Sequence, residues 1–480
     1  MLVIVAALLC LGSGFLTVRL GWRAVSPSLA SILLQLSLAV GFGLGIFSIV
    51  FLAVGVSVLK LSLADLLVFF CLLAFYVVFC RGVPPESKQD ALPVTDSWCL
   101  RLLTAVFAIA SACAIYAAIM RALAHPHGDG WDAFAIWNLH ARFLFLAGPN
   151  WREGFSPLIP WSHPDYPLLI PAVIAHFWTL LGHESQVVPA AVGLLFTFST
   201  AGVLTSSLHI LRGRAAALLG GLALLCTPAF IEIGTWQYAD IPLSFFFLGA
   251  ASLLCLHEKG QGHRQNNSGL LVLAGLSAAF ATWTKNEGLL FFCSLIAARV
   301  IVLFRDKRKS HESPGHRESR QDRFLPFLLG AIPVLLVVLY FKRTVAPPNE
   351  LFTDANHTLH KLLSGARYWA VIQWFVKQFF RFGHWLWIPI TLVMVGYYFA
   401  IGSENRSLPS RQGRILRLTL LFTLAGYFVI YLNTPYEIYW HLRFSLNRLF
   451  LQLWPTAIFL FSLAVSPHGK RHTASQLGAE

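Results

Sequence analysis

Runs of about twenty apolar residues recur along nearly the whole 480-residue chain, and about twenty helical residues cross the ~30 Å hydrocarbon core of a bilayer. Backbone amides find no water there, so a crossing segment must be a helix or part of a closed barrel. The short alternating strands of a barrel are not the pattern of this sequence. Charged residues make up 12% of the chain, against roughly 25% in soluble domains. An all-α polytopic membrane protein follows.

The apolar runs predict about 13 transmembrane helices. They fall near 1–18, 29–58, 62–80, 100–123, 186–211, 215–234, 241–257, 268–283, 288–304, 324–341, 385–402, 417–433 and 447–465. The 29–58 run is long for one helix and must tilt or bend. The first run lacks a basic flank and is followed by more spans, so it is expected to be a helix rather than a cleaved signal.

The formal net charge is +14. In a soluble chain that would suggest a nucleic-acid partner. Here Lys and Arg concentrate in short connections between spans, which is a topology signal, and no nucleic acid is expected. Arg19 and Arg23, Arg81 and Lys88, Arg212 and Arg214, Lys259 and Arg264, 305–323, 406–417 and the tail 467–480 are placed in the cytoplasm. The connections 124–166, Gln237–Asp240, Thr284–Gly288, Lys342–His384 and Asn433–Asn447 then lie outside. With this parity, 165–182 cannot be another full crossing and reads as a re-entrant or interfacial helix. SGARYWAVIQWFVKQFFRFGHW within 342–384 has the mixture of aromatics and cations that suits an interfacial helix. Asp65 is expected at the outer end of its helix. The eight cysteines lie in or beside apolar segments, so no disulfide framework is expected.

This topology gathers Asp129, Asp132, Arg142, Asp165, Asp240, Lys285, Glu287, Arg443 and Arg448 on one face, mostly at span ends. A charge at a bilayer edge is costly unless it has a partner or a task. A carboxylate in a partly dry site acts as a general base on a hydroxyl. Cations at a membrane edge hold a lipid-linked phosphate and stabilise it as it leaves. Together these needs describe transfer of a sugar from a polyprenyl phosphate to an acceptor hydroxyl. A flippase of a lipid-linked glycan would place polar residues near mid-membrane and show internal repeats, and none is seen. A polymerase or ligase using a polyprenyl diphosphate differs in donor phosphate count, which the sequence does not report.

Five motifs in order sharpen this reading. WDAFAIWNLHARFLF joins an acidic residue to an amphipathic aromatic run. HPDYPLLIP (His163 to Pro171), WQYADIPLSFFF with Asp240, TKNEGLLFF with Lys285 and HLRFSLNRLFLQLWP with Arg448 follow. The order resembles that of the GT-C glycosyltransferases, the membrane superfamily that includes protein O-mannosyltransferases and lipid A aminoarabinose transferases. The resemblance covers about 100–466 and leaves 1–99 as extra N-terminal helices. It implies a GT-C fold with interfacial helices in the first large external loop. It also implies a catalytic carboxylate there, Asp132 first and Asp129 second. Asp240, Lys285, Glu287, Arg448, His163, Tyr166 and Tyr238 are the expected substrate and donor contacts.

The spacing Asp129-Gly-Trp-Asp132 is neither the adjacent D-E pair of O-mannosyltransferases nor the D-x-D of metal-dependent oligosaccharyltransferases. No metal and no cofactor are therefore expected. His125, His127, His140 and His163 do not match a zinc-ligand spacing. The expected partners are a polyprenyl-phosphate-linked sugar, a glycan, lipid or protein acceptor, and the bilayer. The expected location is a bacterial inner membrane, with the site on the periplasmic face.

Overall fold

The computed structural model describes residues 1–23, 28–80, 97–261, 268–312, 324–349, 355–385, 391, 394 and 411–465. Among these the chain is helical, without strands. The helices are α1 (Leu2–Gly21), α2 (Leu29–Val54), α3 (Val58–Cys80), α4 (Trp98–Ala124), α5 (Asn138–Leu146), α6 (Leu169–Leu181) and α7 (Val187–Arg212). Then come α8 (Arg214–Leu225), α9 (Pro228–Thr235), α10 (Asp240–Gln261), α11 (Ser268–Thr284), α12 (Asn286–Glu312) and α13 (Phe324–Thr344). The last are α14 (Ala355–Leu363), α15 (Gly365–Arg381), α16 (Arg411–Asn433) and α17 (Ile438–Ala464).

Ten of the described helices are long and apolar enough to cross a membrane, and α8 with α9 makes an eleventh bent one. The all-α polytopic fold is as expected. Of the remaining expected spans, 268–283 is the shorter apolar helix α11, and 385–402 falls almost wholly outside the described residues. One expectation is corrected: 215–234 is not one straight span but two helices bent by 62°. The break falls at Cys226–Thr227, where Pro228 opens the second helix at a position that needs no backbone donor.

α10 is the central helix. Its whole apolar stretch is buried, packed against α7, α11 and α17. By contrast α3 and α4 are almost bare of protein cover; Phe70, Phe75, Ile109 and Leu123 point outward, as lipid-facing residues do. Lipid offers no hydrophobic drive to helix pairing, so small residues that allow close approach decide which helices meet. At the α11–α13 crossing, Gly275 abuts the Phe327 carbonyl and Gly330 abuts the Val272 carbonyl. The first three helices join this bundle directly, because α2 packs against both α6 and α7. Asp65 is not at a helix end but two turns into α3, buried against His176 of α6, with Nε2 to Oδ2 at 3.1 Å.

The two ends of the bundle differ in chemistry. At one end Arg411 and Arg414 of α16 pair with Asp306 of α12, Arg212 of α7 meets the Leu463 carbonyl of α17, and Lys259 of α10 meets the Ile210 carbonyl. The Arg212–Arg214, Lys259 and 411–417 groups expected on one side thus converge. Arg81, Lys88, Arg264, 313–323, 406–410 and 467–480 lie outside the described residues. The opposite end carries the 124–166 loop, α5, α6 and the first turn of α10.

α6 has thirteen residues, about 20 Å at 1.5 Å per residue, too short to cross. Every residue of it except Leu181 is buried. Asp165 before it and Glu184 after it both bond to groups at the acidic end, Asn286 and Arg142. It therefore enters and leaves by the same end. α15 is amphipathic as expected, with Trp369, Ile372, Val376 and Phe380 exposed and Ala370 and Val371 buried.

Candidate active site

The acidic loop owes its path to two glycines. Gly128 and Gly130 have φ of +81° and +80°, a left-handed conformation that costs other residues roughly 1–2 kcal/mol. They turn the chain so that Asp129 and Asp132 point to different neighbours. The helix beginning at Trp131 passes through a π-helical turn, Ala133–Trp137, before α5; such turns recur at functional sites. Gln237, itself at φ +62°, pins the loop. Its amide oxygen accepts from Asn138 Nδ2 at 2.8 Å and its Nε2 donates to the Pro126 carbonyl at 3.0 Å.

Arg448 of α17 joins two of the acids. Its Nη2 donates to Asp132 Oδ2 at 2.6 Å and its Nε to Asp240 Oδ2 at 3.0 Å. Lys285, between α11 and α12, donates to Asp240 Oδ1 at 3.0 Å and lies 2.9 Å from Glu287 Oε1. The five charged groups therefore form one chain: Asp132, Arg448, Asp240, Lys285, Glu287. Three carboxylates face two cations.

The carboxylates are not equivalent. Asp240 is 1% exposed, and both of its oxygens are occupied, Oδ1 also by Gln452 Nε2 at 2.5 Å. Gln452 is held in turn by the Tyr427 hydroxyl at 2.6 Å. Asp132 is 20% exposed, and its Oδ1 takes no hydrogen bond from a described residue. Glu287 Oε2 is buried without a hydrogen-bond partner among the described residues.

Asp129 is elsewhere. It pairs with Arg121 at 3.3 Å, and that Arg lies 3.6 Å from Glu232, which binds His384 Nδ1 at 3.0 Å. Of the two aspartates in the acidic loop, only Asp132 enters the Arg448–Lys285 chain.

Aromatic rings line the chain. The Arg448 guanidinium sits over the Tyr238 ring at 4.6 Å, and the Tyr238 hydroxyl accepts from the Asp132 backbone amide at 3.4 Å. Tyr166 stacks on His163 at 4.8 Å and on Trp137 at 5.6 Å, with Lys285 Nζ 5.7 Å from its ring centre. Burial, reinforced by nearby carboxylates, pushes both the Tyr166 and Tyr238 phenols up, so both stay neutral. His163 turns the H-P-D-Y-P corner at φ 49°.

Asp165 anchors that corner. Its Oδ2 accepts from Asn286 and Asn349, each at 2.7 Å, and Lys342 of α13 meets its backbone carbonyl. His127 bonds Gln186, and His140 is buried against Ser162, where desolvation, then the charge of His163, lowers it to about 3.

All nine residues expected at the site lie at this end of the bundle, and seven of them share contacts around Arg448 and Lys285; Asp129 does not, and His163 joins through Tyr166. Sequence reading missed Gln452, Tyr427, Gln237 and Lys342 as supports. Gln452 is four residues after Arg448, on the same helix face, a spacing that would have found it.

Residues 182–320 match the family model described as dolichyl-phosphate-mannose-protein mannosyltransferase. The matched stretch holds Asp240, Lys285 and Glu287 but neither Asp132 nor Arg448. Searches of curated proteins and of solved structures give no match. The chain is thus an all-α polytopic membrane protein that carries a stretch similar to a membrane mannosyltransferase family of the GT-C type; the match singles out no subtype.

Proposed function

We propose that this membrane enzyme moves a sugar from a polyprenyl-phosphate donor to an acceptor hydroxyl, with Asp132 as the general base. The observation that carries this is the Asp132–Arg448–Asp240–Lys285 chain, which sets an open carboxylate oxygen beside two cations. Asp132 Oδ1 takes the acceptor's proton, and the acceptor oxygen bonds to the anomeric carbon with inversion. The bond from that carbon to the phosphate oxygen breaks, and its electron pair leaves with the polyprenyl phosphate. Arg448 and Lys285 stabilise that leaving group. Asp240 has no free oxygen and holds the two cations in place. The orphaned Glu287 Oε2 fits a hydroxyl of the transferred sugar, since a buried acceptor without a donor is costly. Tyr166, Tyr238 and His163 shape the walls.

The site lies at the bundle end opposite the Arg212, Lys259 and Arg411–Arg417 groups. Positive loops favour the cytoplasm, which supports the periplasmic or extracellular face as the side of the chemistry. The acceptor is a glycan, a lipid or a protein.

Purified protein given a polyprenyl-phosphate-linked sugar should transfer it, and Asp132→Asn should lower the rate by about 10²–10⁴, the usual contribution of a general base. Wild-type turnover by Asp132→Asn would remove Asp132 from this role.

A further inference from the structure

We infer that the donor phosphate displaces Asp132 from Arg448 Nη2, so that donor binding is what frees the base. This rests on the reading above.

The two sides of the Arg448 guanidinium are held very differently. Asp240, on Nε, is fixed by Lys285 and Gln452, and Gln452 is fixed by Tyr427. That side is rigid and almost completely buried. Asp132, on Nη2, opens a short helix just after the glycine turn, is partly exposed, and its Oδ1 takes no hydrogen bond from a described residue. Only the Asp132 side can give way.

Charge makes the exchange necessary. Three carboxylates already surround Arg448 and Lys285. A phosphodiester entering without displacing one of them would put four anionic groups around two cations, in a site where water screens poorly. Displacement leaves Arg448 between Asp240 and the phosphate, which keeps its charge balanced, and phosphate matches the donor fork that Arg presents. The released Asp132 turns both oxygens to the acceptor. Without donor it stays neutralised against Arg448, so no hydroxyl is activated before the leaving group is seated.

The test is binding of a polyprenyl phosphate, without sugar, to the full-length protein in lipid nanodiscs. Asp132 competes with the phosphate, so its removal should tighten binding. Asp132→Asn and Asp132→Ser should each bind about tenfold more tightly than wild type, about 1.4 kcal/mol. Asp129→Asn removes a charge of the same loop that pairs with Arg121 instead, and should bind as wild type does. Equal or weaker binding by both Asp132 variants, or no binding by any form, would overturn the inference. So would a structure of the complex in which phosphate touches Arg448 and the 2.6 Å Asp132 pair survives. These readouts need no turnover: a wild-type protein that binds the lipid but transfers no sugar would sink the functional reading alone.

Discussion

A Cβ built on Gly130 would stand 2.5 Å from the Tyr238 hydroxyl, a separation no real Cβ contact shows. That hydroxyl receives the Asp132 amide, and its ring lies under Arg448. The glycine of the D-G-W-D turn is thus fitted to the residue that backs the guanidinium.

Gly130→Ala should therefore shift Tyr238 and Asp132 relative to Arg448. We expect sugar transfer to fall at least tenfold, with about 1–2 kcal/mol lost from stability through the left-handed backbone. Gly148 is left-handed too, but a Cβ there meets nothing within 4 Å. Gly148→Ala should match the stability cost and keep the activity. Equal activity losses in the two variants would show that loop strain, not Tyr238, matters.

Asp240→Asn should be among the most damaging substitutions in the molecule. It leaves Lys285 and Arg448 without their shared buried counter-ion, and breaking such a pair by removing one partner costs about 3–5 kcal/mol. Thermal unfolding in detergent should show a large fall in melting temperature, and transfer should be lost. An unchanged melting temperature would argue that water reaches these cations in the folded protein.

Asn286 donates to Asp165 and accepts from Lys342 at 2.8 Å. Asn286→Ala should loosen the H-P-D-Y-P corner that carries Tyr166 and His163. The stability cost should be about 1–3 kcal/mol, the price of leaving a buried polar partner unmet. Transfer should fall severalfold at subsaturating donor. Steady-state kinetics with the donor varied would reveal it, and wild-type kinetics would contradict it.

His140 predicts an acid sensitivity. Its folded value is lowered from 6.5 to about 3, so the unfolded chain binds the proton more readily. Its contribution to stability is whole above pH 6.5 and is lost as pH falls from there toward 3. Replacing His140 with Phe, a ring of similar size, removes the titrating group. Between pH 6.5 and 4 the melting temperature of wild type should drop more steeply than that of His140→Phe. Parallel curves would show that other groups govern acid unfolding.

Most of the fold was legible because each crossing helix writes its own apolar run, and the positive loops order them. The charged chain was legible because Asp132, Asp240, Lys285 and Arg448 each interrupt an apolar context where charge needs a reason. The supports were harder. Gln452 and Tyr427 sit inside spans and read as ordinary buried polar residues until Asp240 is seen beside them, and the Asp65–His176 pair joins helices 111 residues apart. Choosing between Asp129 and Asp132 needed the turn geometry of two glycines, which spacing alone does not convey.

The buried state of α6 also constrains how the molecule is made. The main partners of α6 precede it in the chain: it packs chiefly against α2 and α5, and only lightly against α7 and α11. His176 meets Asp65 of α3 and the rings of Phe47 and Phe51 of α2. The seat of α6 can therefore form as soon as 165–182 is synthesised, before most of the later helices exist.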